Sequence, residues 1–161
     1  MAKVPTIHAK VRLTPNQFRE VSERRLGDAE CLVKSGDAHR ANGAIYMAGF
    51  VIECLLKALL LERRRNLQVP VDPATLSSSD KDVFELLYSH KLEDMMGFLP
   101  EVESKLSALP IQSGLSPWAK FCAICEEWTV YARYSPKMAT LDRARDYVDT
   151  IKEVKKWLRE L

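Results

Sequence analysis

Histidines, paired cysteines and clustered cations are the residues of this chain that could do chemistry. Cys122-Ala123-Ile124-Cys125 has the spacing at which two thiolates hold zinc or cycle through a disulfide. It lacks the context for either, since there is no second CxxC, no histidine nearby in sequence and no βαβ pattern around it. The two thiols therefore read as core residues at i, i+3. No metal site is assigned, and no cofactor is called for. Of the three histidines, His8 falls in the N-terminal stretch and His39 in the first turn of a helix beside Arg40. His90, in Ser89-His90-Lys91-Leu92, stands between two apolar patterns. There an imidazole serves either as a structural hydrogen-bonding group or as a proton-transfer group. No serine or cysteine pairs with it in a nucleophile motif.

The remaining charged candidates are also open to two readings. Arg63-Arg64-Arg65 follows an apolar helix, where cations complement the last carbonyls, and where they also suit a phosphate. Trp128, Tyr131, Arg133 and Tyr134 mix rings with a cation, as a stacking surface for single-stranded RNA does, or as core residues with one solvated arginine do. Glu53 and Lys57 lie i, i+4 in the favourable order and read as a surface or groove-lining ion pair.

The elements that must position these residues are helices. The chain has 161 residues, 47% hydrophobic and 29% charged, with 6 glycines and 8 prolines, few for a many-stranded sheet. That length suits one domain, with residues 1–13 as a flexible N-terminus and 14–161 as a single helical unit. The net charge of +2 does not argue for nucleic acid, but residues 1–65 carry +5, 66–115 carry −5 and 116–161 carry +2. An anionic partner should meet the terminal helices.

Thr14-Pro15 opens a first helix that should run to about Ser35, with Gly36 as its stop. Asp37 caps a second helix, roughly Ala38 to Arg65, in which small residues precede a leucine-rich run. Its apolar length raises the question of a membrane span, but Glu53 and Lys57 at its centre argue for a core helix and no membrane. Residues 66–79 read as a loop. Helical patterns follow from Asp80, from Ser89 and near Glu101 to Ala108. Ser116-Pro117 starts a helix expected to end before Ser135-Pro136, and Thr140 opens the last one. The four cysteines fall in apolar helical patterns and read as reduced, in keeping with a cytoplasmic protein. Met1 to Val11 lacks the apolar stretch of a secretory signal.

Three of these segments together resemble the prokaryotic HEPN domain. Ala38-His39-Arg40-Ala41 through Tyr46 and Gly49-Phe50 to Glu53-Cys54-Leu55-Leu56-Lys57-Ala58-Leu59-Leu60 is similar to its long second helix. Ser89-His90-Lys91-Leu92, with Met95-Met96, is similar to the His-Asp-Leu start of its third core helix, with Lys91 where an Asp is common. Tyr131-Ala132-Arg133-Tyr134-Ser135-Pro136 resembles its Arg-Tyr-Pro element. The resemblance implies an all-α, up-and-down bundle of four to five main helices that dimerises, often beside a small nucleotidyltransferase in toxin–antitoxin pairs.

Active members of that family are metal-independent RNases with an Arg-x(4-6)-His motif, and no arginine stands at that spacing before any histidine here. RNA cleavage through the 2′-hydroxyl needs a group that moves protons and a cation that holds the phosphate. His90 with Arg40 or Arg133, met across a dimer cleft, is the candidate catalytic set. The main expectation is a non-catalytic HEPN-like module binding RNA, a nucleotide or a partner protein through Arg40, Tyr46, Glu53, Lys57, His90, Arg133 and Tyr134. The alternative is an endoribonuclease with a non-standard Arg/His site.

Overall fold

The computed structural model describes residues 13–69, 71–111, 114–130 and 134–161. Among them are seven α-helices and no strand: α1 (Pro15–Lys34), α2 (Ala41–Arg63), α3 (Ser78–Leu86), α4 (Leu92–Met96), α5 (Pro100–Ala108), α6 (Pro117–Glu127) and α7 (Leu141–Arg159). The flexible terminus expected over residues 1–13 lies almost wholly outside the described residues, as do His8, Tyr131 and Arg133.

Local chemistry sets the boundaries. Thr14 and Gln17 exchange side-chain and backbone bonds in a capping box ahead of Pro15, and Gly36 leaves α1 at φ +71, a conformation costly for any residue with a Cβ. Asp37 caps one 3-10 turn, Ala38–Arg40, before α2 proper begins at Ala41. The expected loop after α2 contains two short 3-10 turns, and Ser77 caps α3.

The three long helices form the frame. Arg19 on α1 meets Glu62 at 3.0 Å, and near the other end Gly43 meets Leu32, so α1 and α2 are antiparallel. Glu23 pairs with Lys155 and Arg159, and Glu30 with Lys152, which sets α7 antiparallel to α1 as well. Between α2 and α7 the chain returns in four short helices. Arg64 holds Asp80 of α3 at the C-terminal end of α2, and Trp128, just after α6, reaches the first half of α2. The path is therefore down in α1, up in α2, down through the broken return leg of α3 to α6, and up again in α7.

Small residues let the long helices approach closely. Ser22 donates from Oγ to the Val51 carbonyl at 3.3 Å, and Ala41, Ala44 and Ala144 pack together where α7 joins α2. Ala38–Arg63 is long and apolar enough to cross a membrane by length and composition, yet most of it is covered by the other helices, as a core helix is. Every residue from Val51 to Leu61 is buried, Glu53 and Lys57 included.

Two expectations are corrected. α6 stops at Glu127 rather than running towards Ser135, because Trp128 is extended (φ −84, ψ 133) with its indole seated on α2. The cysteines also divide: Cys54 and Cys125 are core residues, Cys122 is half-buried and Cys31 is exposed on α1.

Candidate functional site

The site is built on one stripe of α2. Tyr46, Phe50, Glu53 and Lys57 follow at i, i+4, i+7 and i+11, within about 60° of one another on a helix of 3.6 residues per turn. Two other segments converge on this stripe. His90 comes from the connection between α3 and α4, outside any helix, and Trp128 comes from the end of α6.

Glu53 is the centre. It is 4% exposed, as is Lys57, so of the two placements read for this pair, surface or groove-lining, the surface one does not hold. Its Oε1 accepts from Lys57 Nζ at 2.8 Å. Nδ1 of His90 stands 3.1 Å from Oε1 and 3.0 Å from Oε2. The carboxylate thus serves two partners, and the ammonium balances the charge that burial would otherwise leave isolated. The His90 side chain is 48% exposed, while its Nδ1 is held against the carboxylate.

Aromatic rings fix the other side of that imidazole. Phe50 meets His90 edge to face, with centroids 6.0 Å apart and planes at 87°. Phe50 in turn touches Tyr46 at 4.9 Å and Trp128 at 5.1 Å, both in T-shaped contacts. The Trp128 indole N–H donates to the Tyr46 carbonyl at 3.2 Å. This seat requires Gly49, where a Cβ would fall inside the indole. Gly49 and Phe50 belong to the small-residue, second-helix segment of the sequence, but the pattern there does not point to a seat for Trp128. The signal available was a glycine one turn from both Tyr46 and Glu53, and a tryptophan closing a short helix.

The other candidates stand apart. Arg40 is exposed, pairs with Asp37 at 3.3 Å and starts α2, about 20 Å along the axis from Glu53 at 1.5 Å per residue. Within one chain it does not reach His90. Tyr134 is exposed, and Trp128 is core rather than part of an open stacking surface, at 5% exposure. Arg63 and Arg64 are engaged with Glu101 and Asp80, which favours the structural reading of that cluster over a phosphate site.

Burial pushes the Cys125 thiol up to about 12, with the neighbouring Cys122, Glu93 and Glu126 adding to the effect. A thiol in that state is a poor nucleophile or metal ligand at neutral pH. No group of three or more His, Cys, Asp or Glu poised for a metal occurs among the described residues.

What remains is an imidazole gripped from within by a buried carboxylate and offered outward beside aromatic rings. Such a group accepts or donates one directed hydrogen bond, and a carboxylate behind it supports proton transfer. Comparison with known proteins identifies no relative, since no family model, no curated protein and no solved structure matches the chain.

Proposed function

We propose that the chain is a HEPN-like helical module, cytoplasmic and homodimeric, that binds single-stranded RNA at the His90 face without cleaving it. The observation that carries this reading is the grip of Glu53 on His90. It joins the two most distinctive segments of the resemblance, the polar interruption of α2 and the Ser89-His90-Lys91-Leu92 start, in one site. Phe50 meets the imidazole and Tyr46 lies against Phe50, both with partly covered rings, and rings of this kind stack on unpaired bases. The acidic middle of the chain argues for a base- and sugar-directed contact rather than one dominated by phosphate.

The absence of an arginine at motif spacing, together with the position of Arg40, favours binding over catalysis. A second reading as a metal-independent endoribonuclease draws on the same carboxylate-held imidazole, which is suited to a proton-transfer role. Incubation of purified protein with labelled single-stranded RNA separates the two. Binding with intact RNA supports the module. Cleavage that disappears in both His90→Ala and Arg133→Ala supports the nuclease. A small nucleotidyltransferase encoded next to this chain would place it in a toxin–antitoxin pair.

A further inference from the structure

We propose that Glu53 and Lys57 are positioning residues that fix the neutral His90 ring with its proton on Nδ1, so that Nε2 is a hydrogen-bond acceptor for a hydroxyl or amino group of the ligand. An ionised carboxylate accepts and never donates, so a neutral ring whose Nδ1 lies 3.0 and 3.1 Å from the two Glu53 oxygens makes those contacts only as the donor. The proton is then committed to the inner nitrogen, and the outer one keeps its lone pair. An isolated neutral imidazole prefers the opposite arrangement, with the proton on Nε2, so the protein is working against the ring's own preference.

Lys57 makes the arrangement one-sided. Its ammonium occupies Oε1 at 2.8 Å and both residues are 4% exposed, so the carboxylate has no room to swing towards water and release the ring. Phe50 packs against the imidazole with the ring planes at 87°, and a flip of the ring about Cβ–Cγ would set the Cδ2–H in place of Nδ1 and lose both contacts with Glu53. The 48% exposure of the His90 side chain leaves the acceptor face open.

The consequence is a rule for what the site takes. A phosphate or carboxylate oxygen has no proton to offer and gains nothing from a bare Nε2. A hydroxyl or an exocyclic amino group does. In single-stranded RNA both are present, as the ribose 2′-hydroxyl and as the amino groups of adenine, guanine and cytosine. This selectivity rests on the RNA-binding reading, whereas the tautomer does not.

The test is a long-range proton–nitrogen correlation spectrum of the protein labelled with 15N-histidine, at a pH of about 8, above the ordinary imidazole range. The His90 signals are assigned by their loss in His90→Gln. The expected wild-type result is a protonated Nδ1 and a bare Nε2, reverting to Nε2–H in the folded double variant Glu53→Leu/Lys57→Met. A wild-type ring protonated on Nε2 overturns the assignment, whether or not RNA binds. Adding a single-stranded RNA, its 2′-O-methyl counterpart and the DNA of the same sequence identifies the donor. Loss of roughly tenfold in affinity on methylation or deoxygenation, about one hydrogen bond, assigns the 2′-hydroxyl. Equal affinities assign the amino groups. The expected tautomer in a protein that binds none of the three removes the RNA reading and leaves the positioning role standing.

Discussion

At the scale of single residues, Glu53 carries the most consequence, because it is a buried charge with two partners on different segments. Removing one member of a buried ion pair leaves the other uncompensated, which costs about 3–5 kcal/mol, whereas replacing both by apolar residues of similar size is close to neutral. Lys57→Met should therefore lower the free energy of unfolding by about that amount in urea titration, and Glu53→Leu/Lys57→Met should recover most of it. If the double variant is no more stable than the single one, the pair is not coupled as described.

Gly49 makes a second residue-scale case. Gly49→Ala drives a methyl group into the Trp128 indole, and overpacking of this kind costs about 1–3 kcal/mol. A loss of stability accompanied by a shift in tryptophan emission is expected, and unchanged spectra would mean that Trp128 does not sit there. The sequence showed that Glu53 and Lys57 pair, but not that they are buried. Spacing along a helix reports neighbours on that helix, and it is silent on what covers them. The third partner, His90, lies 37 positions away, and its meeting with Glu53 depends on how the broken return leg folds back.

At the scale of elements, the helix starts were the most legible part of the chain. Thr14, Ser116 and Thr140 each cap the helix expected of them, because the signal is a local exchange between a hydroxyl and free amides. Thr14→Ala removes the reciprocal box with Gln17 and should cost about 1 kcal/mol, seen as a lower urea midpoint without change at the His90 face. Helix ends were harder to read. α6 carries an apolar pattern past its true end, since Trp128 supplies another ring at helical spacing while its backbone is already extended. The winning contact there is tertiary, an indole against a glycine on α2, and no periodicity reports it. The helical pattern read from Ser89 also begins later than its first residue. α4 spans only Leu92–Met96, and His90 precedes it outside any helix, next to the extended Lys91, with its imidazole turned back to Glu53.

At the scale of the whole molecule, the all-helical class and the central place of α2 followed from composition and from its apolar length. The arrangement of the return leg did not, because it depends on contacts between short helices with weak individual patterns. The interior that results has a pH signature. Burial raises the Cys54 and Cys125 thiols from an ordinary 9.0 to about 12, and pushes the Tyr147 phenol up as well. Below about 9 these groups are protonated in both folded and unfolded chains, and their contribution is fully present. As the pH rises from 9 towards 12 the unfolded thiols ionise while the folded ones do not, so stability falls. The urea midpoint should drop between pH 8.5 and 10.5, and drop less in Cys54→Ala/Cys125→Ala than in the wild type. In the native protein at pH 8, a thiol reagent should label Cys31 first and leave Cys54 and Cys125 until unfolding.

The proposed homodimer belongs to this scale too, and light scattering at micromolar concentration reads it directly. A mass near twice 18.3 kDa is expected, and a monomer removes the dimer cleft from the account. The most direct test of the central claim, that His90 held by Glu53 is the heart of an RNA-binding face, is fluorescence anisotropy with a labelled single-stranded RNA. The wild type should bind without cleaving, and His90→Ala should bind at least about tenfold more weakly at an unchanged urea midpoint. Wild-type affinity in a folded His90→Ala protein would contradict the claim.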